Sequence, residues 1–478
     1  MTAQQYIKQN GPTLTSGIKV FFEEEGLSKD AIRKRMSRVS KPIVRYSGIF
    51  KDNQALYYLQ DQYLTKEYFE GLRTAIHIAA KRYYSFIIAI EFHNGYIKKD
   101  HFASYTYSPV GNLISHKNFK SATDELLALK ILVVDEEYYQ LNPLISIRPN
   151  NNLKYYKSIE LAKEIVISQF HKFMRNTGFI SYESATLHSE FFKFQFNFVA
   201  SSYVTGITNY DPIMEKIHPA FVVADILLGN KIGIEEVNFF IEKVKVIKLK
   251  STTKFLPFLI LTNVEQEAFT ALKQNGIIVG FVNELFGSQY EELIKTLINI
   301  VTNAGAVLKT KPDEYLKLIE QLRKLVDGKI NNIRGDLFEL AVGYYYSNLC
   351  QSLDISKEII FDGQKKEIDV YANFQEKIIC AECKAYISRI NTDEISDWFN
   401  KIAVIFEWIK LQDNGKFVVF EFWATTGFTD DAIKLLAERK SKTKKYQIEF
   451  YGKNEIMEKA KNSKAKKITE IMREYFTK

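Results

Sequence analysis

Two β-type runs, Glu367-Ile-Asp-Val-Tyr-Ala372 and Ile378-Ile-Cys-Ala-Glu-Cys-Lys-Ala-Tyr386, are separated only by Asn373-Phe-Gln-Glu-Lys377. So short a polar connection predicts a hairpin. Side chains alternate along a strand, so Glu382 and Lys384 share one face, and Asp369 on the partner strand reaches it in the simplest register. Ile378-Ile379-Cys380-Ala381, and Val418-Val419-Phe420 further on, read as buried strands, where an unpaired charge is expensive. A solvated edge hairpin would carry such charges idly; charges at the end of a buried strand usually have a task. Two carboxylates give oxygen ligands to a hard divalent cation such as Mg²⁺, and a lysine ammonium steadies a phosphate or orients a water.

Upstream, Gly335-Asp-Leu-Phe-Glu339 opens an apolar helix whose Glu339 is a candidate third carboxylate. This order of parts resembles the PD-(D/E)XK nuclease superfamily, in the branch similar to Mrr-type restriction enzymes. The likeness runs over residues 330–455. It takes in the Gly-x-x-Phe-Glu helix at 335–339, a strand at 358–361, the Asp369 strand, and Glu382-Cys383-Lys384 as the E-x-K motif. A helix over 392–410 follows, then the strand Lys416-Phe-Val-Val-Phe-Glu-Phe-Trp423. Last comes Thr425-Thr-Gly-Phe-Thr-Asp-Asp-Ala432, similar to the family's T-x-G-F-x-x-x-A turn. Ile368 stands where the family often has proline.

The resemblance implies a restriction-endonuclease-like α/β/α domain and a Mg²⁺-dependent endodeoxyribonuclease of restriction or anti-phage defence type, with Mn²⁺ substituting. Asp369 and Glu382 would hold the metal, Glu339 would complete the site, and Lys384 would activate the attacking water. Double-stranded DNA is the implied partner. Because one complete centre cuts one strand, a homodimer is expected for duplex cleavage. An RNA-directed nuclease of the same fold and a non-catalytic DNA-binding regulator or defence subunit remain as alternatives.

At 478 residues the chain is too long for one ordinary domain, and its 46% hydrophobic content can fill several cores. The expected fold class is multidomain α+β and α/β. The formal charge of +8 favours an anionic partner, nucleic acid first. The opening Met1-Thr-Ala-Gln-Gln-Tyr-Ile-Lys8 lacks the apolar core of a signal peptide, and no apolar run has membrane-spanning length, so a cytoplasmic protein without membrane contact is expected. Cys380 and Cys383 form a C-x-x-C, but strand alternation points them to opposite faces, against a zinc site. All seven histidines precede residue 220, which argues against histidine-based nuclease chemistry near the C-terminus. There is no Gly-rich loop ending in Gly-Lys-Ser/Thr, so no nucleotide cofactor is implied.

Residues 1–64 look like a winged helix-turn-helix: helices over 2–8 and 15–25, a cap at Ser28, a basic helix over 29–38, and a ribbon over 43–46 and 55–59. Lys29, Arg33, Lys34 and Arg38, with Arg45 on the wing, are the DNA-binding candidates; a plain solvated basic face is the alternative. Residues 65–149 read as a second winged helix, with helices over 66–83, 97–103 and 118–129 and a hairpin over 132–141 turning at Asp135-Glu136.

Residues 150–305 read as an α/β domain that runs parallel to 377–440, a possible degenerate nuclease-like copy. In that alignment Asp225 falls at Glu382, Leu227 at Lys384, and Asn197 where an aspartate would be wanted. Residues 306–330 are expected to form one connecting helix ending near Gly328. Residues 331–478 would be the nuclease domain, with a basic tail of Lys440, Lys442, Lys444, Lys445, Lys464, Lys466 and Lys467.

Overall fold

The computed structural model describes residues 2–135, 137–147, 152–325, 334–412, 415–462 and 466–476. Glu136, Gly328 and Lys464 therefore lie outside the described residues, as do the side chains of Lys466 and Lys467. The chain forms two compact units: Met1–Tyr156 with Phe170–Leu285, and Lys157–Gln169 with Phe286–Lys478. The fold is mixed, with both antiparallel and part-parallel sheets.

The first unit begins with helices Ala3–Asn10, Thr15–Glu24 and Lys29–Ser37, the first and third capped by the Thr2 and Ser28 hydroxyls. Strand Leu56–Leu59 lies between Thr13–Leu14 and Ile43–Tyr46 in an antiparallel sheet. Ile7, Ile18, Phe22, Ile32 and Met36 close a small core beneath it.

The next segment repeats helices around a three-stranded antiparallel sheet of Tyr96–Lys98, Tyr138–Leu141 and Leu132–Val134. The helix expected over 66–83 instead ends at Ala79, and a second helix runs Lys81–Phe92. That second helix is buried on nearly every side, so Ser85-Phe-Ile-Ile-Ala-Ile90 carries no amphipathic stripe to betray it. Likewise the helix expected over 97–103 starts only at Lys99, because Ile97 is taken by a strand. Arg73 and Glu91, both buried, pair through two 2.8 Å contacts between these helices.

The rest of this unit is a five-stranded sheet. Its elements are β1 (Thr186–Phe191), β2 (Phe194–Ser202), β3 (Ala220–Leu227), α1 (Ile234–Lys250), β4 (Phe255–Leu261), α2 (Gln266–Gln274) and β5 (Ile278–Phe281), with spatial order β5-β4-β3-β2-β1. β1–β2 and β2–β3 are antiparallel; β3–β4 and β4–β5 are parallel, joined by α1 and α2. One apolar core runs from Leu14 through Phe86 and Phe196 to Ile277, fusing the helical segments to this sheet.

The second unit repeats the topology. α3 (Arg334–Ser347) leads into β6 (Ser352–Phe361), β7 (Gln364–Asn373), β8 (Lys377–Lys384), α4 (Thr392–Gln412), β9 (Phe417–Ala424), α5 (Asp430–Lys442) and β10 (Gln447–Tyr451). The order is β6-β7-β8-β9-β10, again two antiparallel pairings followed by two parallel ones. Trp398, Ile402, Ile405 and Ile409 on α4 pack over Phe420 and Phe422 of β9.

The single connecting helix expected over 306–330 is two helices, Ala304–Thr310 and Pro312–Leu325. Pro312 lacks the amide that would continue the first helix and suits the start of the second. A methyl group on Gly305 would stand 2.2 Å from the Leu353 carbonyl, so only glycine lets the first of these helices lie against β6.

Candidate active site at the ends of the C-terminal strands

The hairpin pairs Val370 with Ala381, so Asp369 stands directly opposite Glu382 one step along. Opposed residues in an antiparallel pair share a face with side chains about 5 Å apart. Both carboxylates are buried, Asp369 6% and Glu382 8% exposed. The Cys383 amide donates to Asp369 Oδ2 at 2.8 Å, fixing that carboxylate. Lys384 Nζ lies 2.8 Å from Glu382 Oε1.

Glu339 projects from α3 and accepts from Ser356 Oγ at 3.0 Å. The loop after β8 is clamped by the Thr425–Gly427 turn: the Thr425 amide donates to the Lys384 carbonyl at 3.0 Å, and Ile390 and Gly427 join through a 3.0 Å backbone bond. Gly427 turns with φ +78°, a conformation that favours glycine.

The site contains a group absent from the sequence-based set. Lys401, the tenth residue of α4, contacts Glu382 Oε2 directly and lies 3.7 Å from Asp369 Oδ1. Its signal in the sequence was a lysine set against the apolar stripe of Trp398, Ile402 and Ile405. Glu367, two residues before Asp369 and so on the same face, pairs with Lys157 at 2.6 Å.

The electrostatics follow from crowding. Burial, then the charges of Asp369, Asp336 and Glu367, push the Glu339 carboxyl well above its ordinary range. Burial and the Glu382 charge push Asp369 up as well. Burial works to raise Glu382 too, but Lys401 and Lys384 more than offset it and hold that carboxyl below its ordinary value. Burial opposes the charge on Lys384, yet Asp369 and Glu382 keep its ammonium above the usual lysine value.

Among the described residues no three histidine, cysteine, aspartate or glutamate side chains stand close enough to form a metal-ligand group. The structure thus brings Asp369, Glu382 and Lys384 together, while Glu339 does not close with the other two carboxylates into a three-ligand set. The donor chemistry still suits a hard cation: Asp369 and Glu382 offer oxygens face to face, and the Lys401 ammonium spans them as a cation would.

The equivalent place in the first unit is closed. Asn197 on β2 stands in register with Asp225 on β3, and the Ile226 amide donates to Asn197 Oδ1 at 2.9 Å, as Cys383 does to Asp369. Lys243, the tenth residue of α1, donates to Asp225 Oδ2 at 3.0 Å and to the carbonyls of Gln195, at 2.7 Å, and Ser104. Tyr105 Oη donates to Asn197 at 3.1 Å. Both charged side chains are wholly buried, and burial pulls the Lys243 ammonium below its usual value even beside Asp225.

Lys29, Arg33, Lys34, Arg38 and Arg45 are exposed on the first module, with Arg45 Nε donating to Tyr57 Oη at 3.1 Å. Arg35, outside the sequence-based set, is exposed beside them and lies 4.9 Å over the Phe22 ring. No described helix is long and apolar enough to cross a membrane.

Neither a protein-family model nor a curated protein matches the chain. Among solved structures, the restriction endonuclease FokI bound to DNA matches with a TM-score of 0.18 and 13% identity. The match covers 56% of this chain and 59% of that one, less than two thirds of its length, and a score so low carries no weight for fold or site.

Proposed function

We propose that the second unit is a metal-dependent phosphodiesterase that cuts DNA, an endonuclease of restriction or defence type. The observation that carries this reading is the pair Asp369 and Glu382, buried face to face on adjacent strands and covered by two lysine ammonium groups. A sheet does not bury two opposed carboxylates for stability alone, since the like charges and their desolvation both cost free energy.

Asp369 and Glu382 would hold Mg²⁺ or Mn²⁺, with Glu339 completing the site through water. Bound there, such a cation supplies Lewis-acid stabilisation of charge on a phosphoryl oxygen. Lys384, anchored on Glu382, presents a fixed positive charge beside the same place, suited to orienting a water and to stabilising a pentacoordinate phosphate. Cys383, buried between them, fixes Asp369 through its amide, and its thiol is pushed up by burial, which keeps it an unreactive packing group. The two N-terminal modules serve as winged helices, the first laying Lys29, Arg33, Lys34, Arg38 and Arg45 along a duplex backbone. The sheet of the first unit is a degenerate copy kept for scaffolding, and a homodimer supplies the second cut.

The test is incubation of the purified protein with supercoiled plasmid in Mg²⁺, Mn²⁺ or EDTA, beside Lys384→Ala. Metal-dependent nicking or linearisation, lost in the variant with DNA binding retained, is the expected result. DNA binding without cutting by either protein would leave a non-catalytic regulator, and preferential cutting of structured RNA in competition would redirect the substrate. A subunit mass in gel filtration, with and without DNA, would count against the dimer.

A further inference from the structure

Lys384 already neutralises one edge of Glu382, yet Lys401 reaches the same carboxylate from α4 and extends toward Asp369. It is the group that spans both acids. Lys401 is mostly buried, with 19% of its side chain exposed. Such burial of an ammonium is costly unless its anions are held against it.

The related sheet shows what this geometry becomes when made permanent. Lys243 occupies the same position of the equivalent helix and is locked by Asp225 and two backbone carbonyls, with no exposure. Among the described residues, the polar contacts of Lys401 are to the two carboxylates and none is to a backbone carbonyl. Its attachment therefore depends on Glu382 Oε2 and Asp369 Oδ1 remaining free of another cation.

Resting on the reading of Asp369 and Glu382 as metal ligands, we propose that Lys401 is an internal counter-ion occupying the place of the divalent cation. The metal must displace it, so Lys401 sets the site's metal affinity. An ammonium and a divalent ion cannot both take the facing oxygens of Asp369 and Glu382. Loss of the ammonium removes a competitor and leaves the acids to the metal. Lys401 is thus a positioning residue, acting through the carboxylates.

The experiment is Mn²⁺ binding to the full-length protein without DNA, followed by calorimetry, for wild type, Lys401→Gln, Lys401→Arg and Lys157→Gln. Lys401→Gln is expected to bind Mn²⁺ on the order of tenfold more tightly, the size of effect a charge within a few ångströms has on a carboxylate. Lys401→Arg, which keeps the charge, should bind no more tightly than wild type. Lys157→Gln, which removes a charge from Glu367 and not from the acid pair, should shift affinity much less. Equal tightening in Lys157→Gln and Lys401→Gln would mean only a general field and would overturn the proposal.

A second measurement needs no variant. Labelling of wild type with an amine acylating reagent, read by mass spectrometry, should show Lys401 becoming more reactive as Mn²⁺ saturates; unchanged reactivity overturns the proposal. Failure of wild type and every variant to bind Mn²⁺ would instead sink the metal-nuclease reading itself. Binding by wild type with an unchanged affinity in Lys401→Gln would sink only the role of Lys401.

Discussion

The two five-stranded sheets share strand order, strand directions and a lysine at the tenth position of the first crossover helix, yet one presents a site and the other seals it. Position by position, Glu367 becomes Gln195, Asp369 becomes Asn197, Glu382 becomes Asp225, and Lys384 becomes Leu227. Where one sheet has two acids the other has amides, and where one has an ammonium the other has an apolar chain. With three fewer charges, Asp225 and Lys243 can neutralise each other with no residue left over. Ser104 and Tyr105 can then close over them at little electrostatic cost. The same backbone thus supports opposite outcomes: one buried pair sealed with no exposure, or a cluster of acids and lysines that stays partly exposed.

The largest effect should come from making the open site imitate the closed one. Asp369→Asn keeps the side chain's shape, and its Oδ can still accept from Cys383, but it removes a charged oxygen ligand. Metal-dependent cleavage of plasmid should fall by about 10³-fold or more, comparable to losing a main electrostatic group of an active site. Lys384→Ala should do the same. Far-ultraviolet circular dichroism and DNA affinity should hardly change in either. Cutting that survived Lys384→Ala would mean that the first unit's sheet is catalytic after all.

Next in size is the cost of unbalancing the sealed sheet. Lys243→Met strands Asp225 in the core and leaves the Gln195 and Ser104 carbonyls without their donor. Breaking a fully buried pair from one side costs about 3–5 kcal/mol, and replacing both partners by apolar groups costs much less. Chemical denaturation should therefore show Lys243→Met strongly destabilised and Lys243→Met with Asp225→Leu largely restored. Lys401→Met should be milder, because Glu382 keeps Lys384 and the site is partly exposed. Equal losses at the two lysines would dissolve the contrast between the sheets.

Much of the open site was legible in the sequence because it depends on alternation and short-range order. The hairpin over 367–386 needs only its turn and its apolar runs to place Asp369 across from Glu382. Lys401 was not legible in the same way, since it comes from a helix and meets the acids only when α4 packs on the sheet. The buried helix Lys81–Phe92 was missed for the opposite reason: residues apolar on all sides carry no period. The closing of the first sheet's pocket by Ser104 and Tyr105 joins positions some 90 to 140 residues from Asn197 and Lys243, and no local pattern announces it.

A smaller effect concerns the exposed basic face of the first module. Arg33→Ala and Lys34→Ala should each weaken duplex binding without changing the rate of cutting at saturating DNA. If each contacts a phosphate, each should also lower the slope of log affinity against log salt by about 1. Salt slopes equal to wild type in both variants would return these side chains to an ordinary solvated surface.

The smallest effect lies at Glu367, whose counterpart Gln195 carries no charge. Burial pushes the Glu367 carboxyl up, but Lys157 more than compensates, with Lys401 and Ser356 assisting, and holds it below the ordinary carboxylate value. A carboxyl depressed in the folded state contributes stability above its unfolded value, and that contribution is lost as pH falls through the folded value. The pair is about a quarter exposed, so the contribution should be roughly 0–1 kcal/mol. Urea midpoints between neutral and acid pH should fall less steeply for Glu367→Gln than for wild type, the two curves converging in acid. A variant that stays parallel to wild type throughout would mean that the Lys157 pair contributes no net stability, and that the charge at Glu367 answers to the substrate side of the site.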